Sequence, residues 1–363
     1  MNQIASNRQY YPALDGLRGI AILLVVVYHN FGFTNFFFFG WLGVDLFFVL
    51  SGFLITSILI ATDIGKRDLK NFFIRRILRI FPLYYLTLVL ILFILPLFSS
   101  FSMDISYYQQ NQIWLWTYTQ NLLYILSLPK NNILIHFWSL AVEEQFYLIW
   151  PFIILLLKKA NRLLLLLSAT LILVIAARFF IWVYRIENLE YFSLYTFTRI
   201  DGICIGCMVA LLQKTNRNFL EKYTAAIVFS LAGLNFLFYF FNKMYQFTFP
   251  YLAIIGYTTF AAMFGLLIYE VISETSSIIN KILSLGFLKF FGKISYGLYI
   301  FHLPVYLLLT PYIKNLTTTK YNVSVNGTNM IASAIATFTA IIISYISYRY
   351  FESYFIKLKS KFI

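Results

Sequence analysis

Charged residues are scarce in this sequence. Only 12% of the 363 residues are Asp, Glu, Lys or Arg, against roughly 25% in soluble domains, and 61% are apolar. Too little polar surface remains to cover a water-soluble globule of this size, which excludes a soluble enzyme. We therefore interpret the chain as a polytopic membrane protein, in which helices of about 20 apolar residues cross the bilayer.

Cysteine is nearly absent. Cys204 and Cys207 both fall in an apolar run, so neither a disulfide framework nor a four-ligand metal site is indicated. Their spacing beside Gly202 and Gly206 favours helix packing through small residues. Linkers rich in Pro, Gly or Ser are also lacking, as is a cleavable signal at the chain start. The sequence predicts a single membrane domain over residues 1–363, with no appended soluble domain.

Ten apolar runs have spanning length, and they predict an all-α bundle of about ten transmembrane helices. They cover residues 13–33, 40–62, 77–98, 136–157, 163–184, 195–213, 224–241, 249–270, 288–312 and 330–351. A weaker stretch at 112–128 is interpreted as an interfacial or re-entrant helix.

The distribution of Lys and Arg supports this topology, because cytoplasmic loops are enriched in both. With ten spans, nineteen of the 28 cations share the side of the chain start, in loops such as 63–79 and 214–222, and five lie opposite. A full span at 112–128 would move the later basic loops to the other side. Both termini are therefore predicted to be cytoplasmic. The formal charge of +14 is interpreted as a topology signal and not as evidence for nucleic-acid binding.

Ionisable side chains inside apolar runs are costly in a bilayer and are therefore candidates for function. Arg18 and His29 are eleven residues apart, so on one helix they share a face and lie about 16 Å apart along the axis. This arrangement predicts a groove or tunnel across the membrane. Asp45, Glu143 and Glu144 are expected near the depth of His29. One of these carboxylates could orient the imidazole and stabilise its cation, as general-base chemistry requires.

Three arginines precede Pro82. Arg76 and Arg79 are three residues apart and share a helix face, and two guanidinium groups at that spacing suit phosphate groups. Arg75 adjoins them. Ordinary anchoring by positive residues is the alternative, and the spacing alone favours it by about two to one.

Five motifs resemble those of the membrane-bound acyltransferase 3 family, which comprises polytopic acyl-CoA-dependent O- and N-acyltransferases. They are YPALDGLRGIA followed by His29, GVDLFFVLSGFLI from Gly43, RRILRIFP from Arg75, HFWSLAVEEQFY from His136 and GKISYGLYIFHLP from Gly292. The resemblance implies transfer of an acyl group, usually acetyl, from cytosolic acyl-CoA. The implied acceptor is a surface polysaccharide, a lipid-linked sugar or another small molecule.

The resemblance also implies roles for individual residues. His29 matches the family's essential histidine and Arg18 its paired arginine. Arg76 and Arg79 match the Arg-x-x-Arg pair on the donor side. Asp45, Glu143 and Glu144 fall in the family's acidic motifs, and no metal is implied.

The resulting hypothesis has His29 as general base, with Arg18 or Tyr147 stabilising the developing oxyanion. A two-step route through an acyl-histidine is an open alternative. His136 and His302 are interpreted as structural residues, with a second functional base as the alternative. A rival function is a transporter or flippase, because buried ionisable residues also build proton relays. Such a protein has no evident need for a CoA-phosphate site.

Overall fold

The computed structural model describes residues 11–37, 39–61, 66–98, 104–184, 193–214, 224–245, 251–273, 277–321 and 324–362. Every regular element within these ranges is helical, which confirms the predicted all-α class. Of the predicted basic loops, 214–222 falls almost wholly outside the described residues, as do residues 63–65 of the loop at 63–79.

The helices differ widely in length, from single turns to a helix of 36 residues. They are α1 (Pro12–Phe31), α2 (Leu42–Ala61), α3 (Lys66–Val89), α4 (Ser106–Gln110), α5 (Gln112–Trp116), α6 (Gln120–Leu126), α7 (Trp138–Leu157), α8 (Ala160–Val183), α9 (Thr196–Arg199), α10 (Asp201–Lys214), α11 (Thr224–Tyr245), α12 (Tyr257–Ser273), α13 (Ile278–Leu283), α14 (Gly286–Tyr321), α15 (Val325–Ser347) and α16 (Ser353–Leu358). Wider π-helical turns extend α3, precede α12 and follow α15.

Eight helical stretches in the described residues are long and apolar enough to cross a membrane, compared with the ten predicted. The predicted runs at 195–213 and 224–241 correspond to α10 and α11, whose apolar parts cover the shorter stretches Asp201–Gln213 and Ala226–Phe241. The segment at 112–128 contains short helices, α5 and α6, of five and seven residues. Neither can cross a hydrocarbon core of about 30 Å, in agreement with the non-spanning interpretation.

Helices α1 and α14 approach each other through glycines. A Cβ added at Gly292 would lie 2.8 Å from the carbonyl carbon of Asp15, and one added at Gly19 would lie 3.0 Å from that of Leu288. Side chains of any size would hold the two backbones apart, so glycine is required at this crossing. Further along the same two helices, His29 of α1 meets His302 in the middle of α14.

A second close contact joins α2 and α10. A Cβ at Gly206 would lie 2.7 Å from the backbone nitrogen of Phe53, and one at Gly52 would lie 2.8 Å from the carbonyl carbon of Ile203. The Cys207 thiol donates to the carbonyl oxygen of Gly52 at 3.6 Å. Both cysteines are buried and unbonded to each other, which confirms their interpretation as packing residues.

The helices divide into central and peripheral ones. Within their most apolar stretches, 61% of residues are buried in α2 and in α14, but only 22% in α8. Large side chains on α8, such as Leu165, Ile172 and Leu173, are exposed. In a membrane protein such a surface faces lipid, so the bundle interior lies around α1, α2, α7, α12 and α14.

Candidate active site

A cavity of about 100 Å³ lies between α1, α2, α3, α7 and α14. One water-sized group needs roughly 10–15 Å³ of such space, so several groups fit. The polar lining consists of Arg18, Ser51, Arg76, Arg79, Ser139, Glu143, Glu144, Tyr147, Ser295, Tyr296 and Tyr299. Five of the eight residues singled out from the sequence therefore share one cavity.

Arg76 and Arg79 enter the cavity without an acidic partner. Among the described residues, neither guanidinium has a carboxylate oxygen within 4.0 Å. The guanidinium carbon of Arg76 instead lies 5.7 Å from the ring centroids of Phe72 and Tyr147, a cation–π distance. Enclosing a guanidinium group without a direct ion pair is costly, so these two arginines are suited to an anionic ligand.

Arg18 differs from these two arginines because it is paired. Its Nη1 lies 3.2 Å from Oδ1 of Asp15, one turn earlier on α1. The uninterrupted helix places His29 eleven residues further along the same face, a rise of about 16 Å. Arg18 therefore belongs to the arginine end of the cavity, whereas His29 lies at the opposite end of α1.

The two adjacent glutamates on α7 are held differently. Glu143 accepts hydrogen bonds from Ser51 Oγ at 2.7 Å and from the Tyr147 hydroxyl at 3.2 Å. Oε1 of Glu144 is buried without a hydrogen-bond partner. Both carboxyl groups line the cavity beside the arginines and not beside His29.

Tyr299 and Ser139 form the end of the cavity that is nearest to the histidines. Ser139 Oγ and the Tyr299 hydroxyl are 2.6 Å apart, and that hydroxyl donates to the carbonyl oxygen of His136 at 2.7 Å. The Tyr299 ring centroid lies 5.4 Å from that of His136 and 5.8 Å from that of His302. A single layer of side chains thus separates the cavity from the histidines. The sequence argument missed both Ser139 and Tyr299.

All three histidines of the sequence meet beyond this layer. His29 comes from α1, His136 from the turn before α7, and His302 from α14. The ring centroids are 5.0 Å apart for His29 and His302, 5.0 Å for His136 and His302, and 6.4 Å for His29 and His136. His136 and His302 are buried, and His29 is partly exposed. Within the described part of the chain, neither ring nitrogen of His136 has a hydrogen-bond partner.

The expected carboxylate beside His29 is replaced by a histidine. His29 Nδ1 lies 3.2 Å from His302 Nε2 and 3.0 Å from the carbonyl oxygen of Val25. The expectation that Asp45, Glu143 or Glu144 orients the imidazole is therefore wrong. Depth along the membrane was inferred from the apolar runs, but the direction in which each side chain faces depends on helix packing.

Asp45 faces away from the histidines and pairs with Arg199. Its Oδ1 lies 2.5 Å from Arg199 Nη2, and the Arg199 guanidinium carbon lies 3.8 Å from the Tyr257 ring centroid. Close by, Arg178 pairs with Asp201 at 2.9 Å. These two buried pairs connect α8 with α10 and α2 with α9, and they give Asp45, Arg178, Arg199 and Asp201 a structural role.

Arg75 also lies outside the cavity lining. Its Nη1 donates to the backbone carbonyl of Phe362 at 2.5 Å, which ties α3 to the C-terminal segment. The three arginines on α3 are therefore not equivalent: Arg76 and Arg79 face the cavity, and Arg75 faces the segment after α16.

Comparison with known proteins bears on this site. A family model described as an acyltransferase domain matches residues 11–349. "Peptidoglycan O-acetyltransferase OatA" of Listeria monocytogenes is 33% identical over 328 residues, which are 85% of this chain and 51% of that protein. "Putative peptidoglycan O-acetyltransferase YrhL" of Bacillus subtilis is 34% identical over 84% of this chain and 50% of that protein. The chain thus spans about half the length of these relatives. No solved structure gives a significant match.

Proposed function

Because the chain belongs to the acyltransferase family whose model covers residues 11–349, we propose that it moves an acetyl group from acetyl-CoA to a glycan hydroxyl. The described residues are helical and include eight helices able to span, which makes the chain a multi-pass membrane protein. Two relatives carry the name of peptidoglycan O-acetyltransferases, so a sugar hydroxyl of the cell wall is the proposed acceptor. His29 is the proposed general base.

The observation that carries the proposal is that Arg76 and Arg79 both face the cavity, and neither has a carboxylate partner among the described residues. Acyl-CoA is rich in phosphate, and guanidinium groups bind phosphate through two parallel hydrogen bonds. The cavity that receives these arginines extends to Ser139 and Tyr299, one layer of side chains from the histidines, so an anion can bind at one end while an acyl group lies at the other. A transporter of neutral sugars would gain nothing from two unpaired arginines.

The donor is proposed to enter from the cytoplasm, since the positive residues place the arginine end of the bundle on that side. Arg18, Arg76 and Arg79 bind its phosphates. Because Arg18 lies about 16 Å from His29 along α1, we assign it to donor binding and not to the oxyanion. The acceptor reaches the partly exposed His29 from the opposite face of the membrane.

At the reacting end, His29 removes the proton from the acceptor hydroxyl while the hydroxyl oxygen attacks the thioester carbonyl carbon. The C–O bond forms and the C–S bond breaks. His29 then returns the proton to the departing sulfur, which leaves as the free thiol. The carboxyl groups of Glu143 and Glu144 lie beside the arginines, where they balance part of the positive charge.

The first test is acetyl-CoA binding to the purified protein in nanodiscs, measured by calorimetry. A hydrogen bond to a charged group contributes about 1.5–3 kcal/mol, so Arg76→Ala and Arg79→Ala should each raise Kd by roughly 10- to 100-fold. Arg75→Ala removes the same charge from the same helix but no cavity group, and we expect a much smaller effect from it.

Acetyl-pantetheine, which lacks the nucleotide phosphates, sharpens the test. If the arginines bind phosphate, the double variant Arg76→Ala/Arg79→Ala should bind acetyl-CoA much more weakly than the wild type does. Its affinity for acetyl-pantetheine should change little. Equal losses for both ligands would contradict the phosphate assignment. Absence of acetyl-CoA binding in folded wild-type protein would overturn the enzyme proposal and favour transport.

A further inference from the structure

The hydrogen-bond pattern of the histidines determines which ring nitrogens carry protons. His302 Nδ1 lies 3.0 Å from the carbonyl oxygen of Leu298 and 2.8 Å from that of Tyr299. A carbonyl oxygen only accepts, so Nδ1 of His302 must be the protonated donor. In the neutral ring this leaves Nε2 of His302 with a lone pair.

That lone pair points to His29. Nε2 of His302 is 3.2 Å from Nδ1 of His29, which is also 3.0 Å from the Val25 carbonyl oxygen. Both neighbours accept, so Nδ1 of His29 carries a proton shared between them. If Nδ1 of His29 were unprotonated, its lone pair would face the lone pairs of the Val25 carbonyl oxygen, which is an unfavourable contact. With both rings neutral, only one arrangement of protons satisfies all these contacts, and it leaves Nε2 of His29 unprotonated.

We propose that His302 is the positioning residue that holds His29 in this tautomer and makes Nε2 of His29 the reacting nitrogen. The inference rests on the proposed function of His29 as the base. In many hydrolases a carboxylate orients the catalytic histidine. Here a second, neutral histidine occupies that position, and it is buried, with none of its surface exposed.

The geometry also determines the path of the proton. When Nε2 of His29 takes the hydroxyl proton, the ring becomes an imidazolium, and its Nδ1–H bond to His302 becomes charge-assisted and stronger. His302 cannot pass a proton onward, since its own Nδ1–H meets only the carbonyl oxygens of Leu298 and Tyr299. The proton therefore leaves by the nitrogen through which it entered, to the departing sulfur.

The tautomers can be read directly by nitrogen-15 NMR of histidine-labelled protein in lipid, since the chain has only three histidines. His136→Gln and His302→Gln variants assign the signals. We expect wild-type His29 and His302 both to be neutral and protonated at Nδ1. A His29 ring protonated at Nε2 would overturn the proposal whatever the protein's activity.

Substitution of His302 separates positioning from packing. His302→Leu removes the acceptor while filling similar space, and its former partners are helix carbonyls that keep their backbone hydrogen bonds, so the fold should survive. His302→Gln can retain an acceptor for His29 Nδ1–H. We expect kcat to fall by about 10- to 100-fold in the Leu variant, with partial recovery in the Gln variant and an unchanged KM for acetyl-CoA.

The outcomes are distinct from those that test the overall function. If His302→Leu leaves both the His29 tautomer and kcat unchanged, the Val25 carbonyl alone orients His29 and the proposal fails. A change in KM without a change in kcat would also overturn it. If the wild-type tautomers are as expected but no acetyl transfer occurs, the positioning geometry stands and the proposed function is what has failed.

Discussion

The crossing of α1 and α14 gives a sharp stability prediction at Gly292. An alanine Cβ there would lie 2.8 Å from the Asp15 carbonyl carbon and 3.2 Å from its Cα, with the carbonyl oxygen closer still. Ordinary van der Waals contact begins near 3.4 Å. The helices would have to separate by more than about half an ångström, and this would loosen the packing of every side chain along the contact.

The expected magnitude follows from two opposing terms. Overpacking in a well-packed interior costs about 1–3 kcal/mol, and the upper end applies because the atom encountered is backbone and cannot rotate away. Replacing helical glycine by alanine favours the helix by about 1 kcal/mol. We therefore expect Gly292→Ala to lower the free energy of unfolding by about 2 kcal/mol.

Gly233→Ala is the matched control. Gly233 lies within α11, and a Cβ there meets no atom within 4 Å, so only the helix-propensity gain applies. Thermal unfolding of both detergent-purified variants, followed by fluorescence-detected size exclusion, gives the comparison. Gly292→Ala should unfold at lower temperature than wild type, and Gly233→Ala at the same or a higher temperature. Equal behaviour of the two variants would refute the close approach of α1 and α14.

Two further predictions concern buried polar groups. Asp45→Ala leaves the Arg199 guanidinium without its carboxylate, which should destabilise the protein by about 3–5 kcal/mol, whereas the double variant Asp45→Ala/Arg199→Met should recover much of this loss in the same thermal assay. His136 buries two ring nitrogens without partners, and His136→Leu removes that cost, so thermal stability should be unchanged or higher. A lower melting temperature for His136→Leu would show that these nitrogens are bonded within the fold.

Much of the helical architecture could be predicted from the sequence. Eight of the ten apolar runs correspond to long helices, because a hydrocarbon interior forces continuous backbone hydrogen bonding and thus long apolar segments. The other two runs correspond to α10, which has 14 residues, and to α11, whose apolar part covers Ala226–Phe241. Asp201 is the first residue of α10 and pairs with Arg178, and this helix begins later than the predicted run at 195–213.

The non-spanning nature of 112–128 followed from charge alone, but its internal structure did not. Tyr118 adopts a positive φ of 54° between α5 and α6, in the left-handed region that a non-glycine residue rarely enters. Its ring stacks on that of Tyr84, with centroids 4.1 Å apart. Such a contact between segments far apart in sequence leaves no mark in the local pattern.

The arginine end of the site was predicted more successfully than the histidine end. Arg76 and Arg79 lie on one α3 face, and a three-residue spacing on a helix reveals this directly. The contact of His29 with His302 spans 273 residues and depends on how α1 crosses α14. No pattern within either helix predicts it, although a chain with only three histidines offered a hint that they act together.

Direct pairing with a carboxylate distinguishes Arg178 and Arg199 from Arg76 and Arg79 better than depth does. Arg178 and Arg199 are almost fully buried, and each has a carboxylate within 3 Å, so their charges are neutralised inside the fold. Arg76 and Arg79 are less buried, yet have no such partner among the described residues. An unneutralised charge is stable in a membrane protein only when water or a ligand completes its surroundings. The lack of a direct carboxylate partner among the described residues therefore supports the proposal that an anionic substrate binds at Arg76 and Arg79 and not at the deeper arginines.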